Sequence, residues 1–412
     1  MKLIKNGKIL TMVGKSYENG CLLIDGQKIV AIEEHIEETE DMEIIDAKGG
    51  WVMPGMIEAH CHVGITEEKK GMEGDDCNEM ADPITPYLRA IDGINMLDAA
   101  FDDAVRAGIT SIMVGPGSAN IVGGQFAFIK TKGRVIDEII VQAPAAMKVA
   151  FGENPKKNYG AKDKMPETRM AIAGLLREEI FKAATYLDKK EKAQKNNEDF
   201  EINFRLEPWI PVLKRQIPLK AHVHRVDDIL TAMRIAHEFH LIMTLDHCSE
   251  GYLIPEEIAK SGFSVIAGPA LTARNKIEVQ NVSFRTPGIL RQKGIKVAIT
   301  TDHPVTPIQY LPKCAGFAAR DGLGIEEGLK AITIYAAEIC GVADRVGSLE
   351  VGKDADIAIF DDNPMQTLTH TLYTLIDGEV AYSHEHVHTN KEISDSTKSM
   401  TASIENNKIK KE

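Results

Sequence analysis

The sequence predicts an α/β protein: a (β/α)8 barrel of the TIM type, joined to a small β domain assembled from both chain ends. Three observations carry that prediction. The first fifty residues and the stretch 347–385 read as short strands. The interior alternates short apolar strands with longer helical stretches, as βα units on a parallel sheet do. No glycine-rich phosphate fingerprint opens the first unit, which weighs against an open dinucleotide-binding sheet.

At the N-terminal end, Lys2 to Met12 and Cys21 to Ile32 are short apolar runs. Asn6-Gly7 and Asp25-Gly26 are turn dipeptides of the kind that close hairpins. Gly347 to Phe360 and Leu372 to Tyr382 repeat the pattern, so residues 1–54 and 345–385 are assigned to the small domain. Between them, 55–344 carries the barrel. Its strands include Thr110 to Val114, Ala146 to Ala150, Leu219 to Val223 and Val297 to Thr300. Asp227 to Phe239 and Pro166 to Lys195 read as helices. From 386 to 412 the chain is polar, has little to bury, and reads as a disordered tail.

Composition bounds the function. Of 412 residues, 43% are hydrophobic and 26% charged, an ordinary globular balance. A formal net charge of −13 repels phosphate backbones, so nucleic acid is not an expected partner. No apolar run approaches the roughly 18 residues of a membrane span, and no secretory h-region follows the N-terminus. The six cysteines are scattered without a CxxC pair and read as reduced thiols of a cytoplasmic protein. Cys61 and Cys248, each beside a histidine, read as small buried residues rather than ligands.

Four strand ends carry the chemistry. His60 and His62 lie two apart, so on a strand both imidazoles face one side and can converge on one divalent ion. His222 and His224 repeat the pattern in Lys220-Ala-His222-Val-His224-Arg225. His247 ends Thr244-Leu-Asp246-His247, and Asp302 stands where Ala298-Ile-Thr-Thr stops. Singly, Asp302 reads equally as a helix cap and His247 as a hydrogen-bonded core histidine. Together at strand ends of a barrel they point to a metal site. His237, His240, His370, His384, His386 and His388 are read as structural.

This order of HxH, lysine, histidine, histidine and aspartate resembles the amidohydrolase superfamily, in its imidazolonepropionase-related and prolidase-like branch. Val52-Met-Pro-Gly-Met-Ile-Glu-Ala-His60 and Gly347-Ser-Leu-Glu-Val-Gly-Lys-Asp-Ala-Asp356 carry the likeness at the barrel entry and at the return to a small β-sandwich. The resemblance implies His60 and His62 as first-strand ligands, His222 and His247 as fifth- and sixth-strand ligands, and Asp302 as the eighth-strand aspartate. Lys148 matches the lysine that two-metal relatives carboxylate. An unmodified Lys148, binding substrate or paired with an acid, is the competing reading. The implied cofactor is divalent metal, zinc first, as two ions bridged by carboxylated Lys148 or as one ion. Asp302 is the expected proton acceptor and donor, and His224 either supports a ligand or donates a hydrogen bond to the developing oxyanion.

The implied activity is hydrolysis of a C–N bond in a small cyclic amide, N-acyl amino acid or dipeptide-like compound. The deaminases and imidazolonepropionase of the superfamily tend to carry a glutamate shortly after the fifth-strand histidine, whereas this chain has Arg225, which cannot replace an acid and counts against both. Deamination is therefore the alternative, beside a barrel that has lost catalysis and serves as a scaffold. Arg225 either holds a substrate carboxylate or pairs with Asp227 or Asp228. Gln125, in the glycine-rich stretch Gly115 to Gln125, and His303, next to Asp302, are the other expected substrate contacts. The partner is a small molecule, and a homo-oligomer is left open.

Overall fold

Continuous apolar runs, rather than alternation, mark the interior strands, because a barrel strand is covered on both faces. The computed structural model describes residues 1–68 and 71–384; the expected tail, with His386 and His388, lies outside the described residues. The N-terminal strands are β1 (Lys2–Ile9), β2 (Tyr17–Asp25), β3 (Lys28–Glu33), β4 (Glu43–Asp46) and β5 (Trp51–Pro54). The barrel strands are β6 (Met56–Cys61), β7 (Ile109–Val114), β8 (Val122–Lys130), β9 (Ile140–Ala150), β10 (Leu219–Val223), β11 (Met243–His247), β12 (Ser264–Ala267) and β13 (Val297–Ile299). The chain returns through β14 (Ile357–Phe360), β15 (Thr371–Ile376) and β16 (Glu379–Ser383).

The two chain ends share one sheet, of order β16-β15-β14-β5-β1-β2-β3 with β4 beside β1, because β14 pairs antiparallel with β5. Asp25-Gly26 closes the β2–β3 hairpin, but Asn6-Gly7 does not make a turn. It lies inside β1, where Asn6 takes a left-handed φ of 55°. There β1 changes partner, from β4 along residues 2–5 to β5 at residues 8–9. A Cβ on Gly7 would come 2.5 Å from Val52 Cγ2, so glycine is required at the switch.

The barrel sheet runs β13-β12-β11-β10-β9-β8-β7-β6. It departs from the expected all-parallel (β/α)8 pattern at β8, which is antiparallel to both β7 and β9. The links 115–121 and 131–139 are too short for a crossover, which needs about a dozen residues, so the chain turns back instead. The last four residues of the stretch Gly115 to Gln125 are therefore strand rather than loop.

No ladder joins β6 to β13 among the described residues; the seam is closed by polar groups. His62 N donates to His303 O at 2.9 Å, and Thr300 Oγ1 lies 2.7 Å from His60 O. Glu58, fully buried, accepts from Thr300 Oγ1, Thr301 Oγ1, Thr301 N and His60 N. Burial pushes its carboxyl up to about 7 against those four bonds. Helices cover the remaining arc. Val226–Glu238 buries Ile229, Ala232, Met233 and Ala236 at helical spacing, with Asp227 and Asp228 in its positive first turn. Arg169–Asn196 starts where Thr168 Oγ1 accepts Ala171 N. Among the described residues no helix is long and apolar enough to cross a membrane.

Candidate active site

Strand alternation brings the inward side chains of neighbouring strands level at the carboxyl end of the barrel. On β10, Lys220 and His222 share the inward face. Across the ladder Lys220 sits beside Lys148, and His222 beside Asp246. Alternation alone would turn His247 away from Asp246. His247 and Cys248 instead take left-handed φ values of 70° and 47°, and Asp302 one of 51°, so the strand ends bend where donors are needed.

Two donor groups result. His60, His62 and Asp302 offer ligand atoms within 4.8 Å of one another, and so do His222, His224 and His247. In the first, Asp302 Oδ1 lies 3.5 Å from His60 Nε2 and 3.3 Å from His62 Nε2. No hydrogen bond reaches that oxygen among the described residues. Lys148 Nζ is 3.2 Å from His60 Nε2. His224, expected beside the ligands, has its ring among the second group's donors.

The far ring nitrogens fix the tautomers. A carbonyl can only accept, so His62 Nδ1–H donates to Gly115 O at 2.7 Å, and His247 Nδ1–H to Gly268 O at 2.7 Å. His60 Nδ1 faces Asp246 Oδ2 at 2.7 Å. Each ring thereby turns Nε2 to the centre, the arrangement that orients metal-binding imidazoles. Burial pushes His60, His222 and His247 well below the usual imidazole value, and His224 to about 4, so these rings are neutral. His62 differs. Burial lowers it too, but Cys77 and Asp302 outweigh that and lift it to about 10. The anionic field that favours a proton there favours a metal cation equally. Asp302 stays ionised, since burial is outweighed by His247, His62 and Lys148. The donor set fits a divalent ion.

Beneath these groups sit residues that the sequence reading passed over. Asp246 accepts from Thr244 Oγ1 at 2.7 Å and pairs with Lys220 Nζ at 3.1 Å, and Lys220 also donates to Ala59 O. Glu58, Lys220 and Asp246 each stand one or two residues before a histidine already singled out, so period-2 alternation was the available signal for Glu58 and Lys220. Glu278, in the single turn Ile277–Val279 after β12, has no such signal. The other expected contacts have protein partners of their own. Gln125 Nε2 donates to Pro86 O at 3.1 Å, holding the segment beside β8. His303, fully buried, accepts Ile308 N on Nδ1 and faces Glu68 with Nε2. Arg225 lays its fork on Asp227, at 3.0 and 3.2 Å. A cavity of about 560 Å³ opens beside the second group, lined by Glu153, Lys156, Lys157, Arg225 and Glu278.

A barrel with imidazoles, a lysine and an aspartate at its strand ends defines a metal-dependent hydrolase. The family model described as "Amidohydrolase family" matches residues 280–382. A solved amidohydrolase from Thermotoga maritima MSB8 is 39% identical, with a TM-score of 0.90 over 93% of this chain and 100% of that one. The chain therefore belongs to the amidohydrolase family. It is 26% identical to the amidohydrolase tasK of Hapsidospora irregularis over 90% of its own length, but spans only 40% of that protein. Against the imidazolonepropionase of Colwellia psychrerythraea the identity is 24%, over 84% of this chain and 85% of that one.

Proposed function

We propose that the protein hydrolyses an amide C–N bond in a small cyclic amide, N-acyl amino acid or dipeptide-like substrate. The observation that carries the reading is the facing of Asp302 Oδ1 onto His60 Nε2 and His62 Nε2, beside Lys148. His60, His62, Lys148, His222, His247 and Asp302 would hold divalent metal, with zinc the leading ion. When bound, such an ion supplies an activated water at neutral pH and polarises a carbonyl.

The chain's own groups do the rest. Asp302, ionised and without a hydrogen bond on Oδ1 among the described residues, takes a proton from the attacking water and returns it to the leaving nitrogen. Lys148 is fully buried, which pulls its amine down to about 8. A fraction is then neutral at physiological pH, the form that adds carbon dioxide, releases a proton and becomes an anionic carbamate. Similarity to an imidazolonepropionase supports C–N chemistry, and Arg225 after His222 supports hydrolysis over deamination.

The test is a screen of N-acyl amino acids, dipeptides and cyclic amides with zinc-loaded and chelator-stripped protein. The expected result is carboxylate release that is lost on stripping and restored by metal. Ammonia release without amide cleavage would move the protein to the deaminases. A folded protein that holds no metal would make it a scaffold.

A further inference from the structure

We infer that His222, His224 and His247 hold a cation together with Glu278, in a site of three imidazoles and one carboxylate that stands without a modified Lys148. The inference rests on the metal-hydrolase reading above and adds two donors to it. Glu278 Oε1 lies 3.7 Å from His222 Nε2 and 3.9 Å from His224 Nε2. Ligands of one tetrahedral zinc, each at about 2.0–2.1 Å from it, stand about 3.4 Å apart, so a small rotation of one side chain suffices.

Glu278 is aimed there by its surroundings. Its side chain is 2% exposed, and its Oε2 accepts Glu153 N at 2.9 Å. Gly152, at φ 83°, keeps that side open, since a Cβ there would sit 2.7 Å from Oε2 and 2.9 Å from Asp228 Oδ2. Oε1 is left with no hydrogen bond among the described residues. A buried carboxylate oxygen without a donor is costly, and a cation between it and neutral imidazoles removes the cost. A protonated imidazole would also serve. Yet both distances exceed a hydrogen bond. Among the remaining neighbours, His224 Nδ1 meets Ser249 Oγ at 2.7 Å and Lys276 Nζ donates to Asn154 Oδ1 at 2.7 Å, while Asn154 Nδ2, 3.4 Å from His222 Nε2, is the contact a cation would replace. Arg169 is taken up by Asp228.

The site differs from a bridged pair in a measurable way. If a carbamate on Lys148 were the shared ligand, losing it would empty both sites. Full-length wild type, Lys148→Ala, Glu278→Gln, Glu278→Asp and His224→Asn would be stripped, reloaded with Zn²⁺, dialysed and counted by elemental mass spectrometry. Zn²⁺ affinity would be measured by competition with a chromophoric chelator, and folding by circular dichroism. Two ions are expected on wild type, one on Lys148→Ala, and one on Glu278→Gln and on His224→Asn, with the lost ion bound about tenfold more weakly or worse. Glu278→Asp should recover part of that affinity. The Co²⁺ visible spectrum should change with Glu278→Asp and His224→Asn, which provides the readout if Glu278→Gln fails to fold. Wild-type stoichiometry and affinity in folded Glu278 and His224 variants would overturn the inference, as would loss of both ions in Lys148→Ala. A wild type that binds no ion would instead overturn the hydrolase reading itself.

Discussion

The two donor groups at the barrel mouth are braced in different ways. His60, His62 and Asp302 are held from within the barrel. Asp246 and Lys220 stand beneath His60, Gly115 O fixes His62, and Glu58 ties the adjoining strand ends across the seam. His222, His224 and His247 lean on neutral groups: Ser249 Oγ meets His224, Asn154 on the helix Glu153–Gly160 stands 3.4 Å from His222 Nε2, and Gly268 O fixes His247. The second group also adjoins the 560 Å³ cavity. The first group is thus braced chiefly by buried charged side chains of neighbouring strands, and the second by hydroxyl, amide and carbonyl groups.

The sharpest test of that contrast is Asp302→Asn, expected to lower kcat by about 10²–10⁴-fold with little change in KM. Steady-state kinetics on the substrate found by screening would show it, and near-normal kcat would remove Asp302 from proton transfer. Asp246→Asn frees His60 from beneath and should weaken metal binding at the first group by about 10–100-fold, leaving the second group filled. Equal weakening of both would break the distinction.

A change away from the mouth should lower stability and leave the metal content alone. Asp354, buried, meets Lys28, Lys130 and Arg345 at 2.7, 3.0 and 2.7 Å, and Asp354→Asn should cost about 3 kcal/mol in denaturant unfolding. Burial raises its pKa, but those cations outweigh burial and hold it below the ordinary value. The stabilisation is therefore complete above the unfolded-state pKa of about 3.9 and is lost as pH falls through the lower folded value. The gap in Tm between wild type and variant should shrink below about pH 4. Arg225→Ala carries the smallest effect, within about 0.5 kcal/mol in stability and with KM shifted by less than about twofold, since Asp227 already occupies its fork. A tenfold rise in KM would return Arg225 to the substrate.

Both histidine pairs were legible in the sequence, because period-2 spacing sets His60 with His62 and His222 with His224, and because βα rhythm located β10 and β13 closely. Alternation did not find β8, whose every residue is buried and whose links are short, so glycines at 123 and 124 read as loop. Nor could local pattern find Glu278. Its partners are more than fifty positions away in His222 and His224, and only the packing of the turn after β12 against Gly152 brings them together. Asn6-Gly7 misled because the same dipeptide serves a turn and a change of strand partner. The charged neighbour of Arg225 was foreseeable, and Asp227 is the one its fork meets.

The reversed strand β8 has one more consequence. A parallel barrel surrounds itself with crossover helices, and where the chain doubles back from β7 to β9 it supplies no long helix. The terminal sheet takes that place. Ala358 and Phe360 share an apolar cluster with Ile109, Ile112 and Ile129, and a Cβ on Gly108 would meet Phe360 Cζ at 2.7 Å. Thr374 Oγ1 donates to Val105 O, and Lys130, at the end of β8, meets Asp354, Asp356 and Asp377 at 3.0, 2.8 and 3.1 Å. The residues that begin and end the fold are thus part of the catalytic barrel's outer wall. A fragment trimmed to residues 55–344 would keep both donor groups and expose the apolar face of β7 and β8 that Ala358 and Phe360 cover.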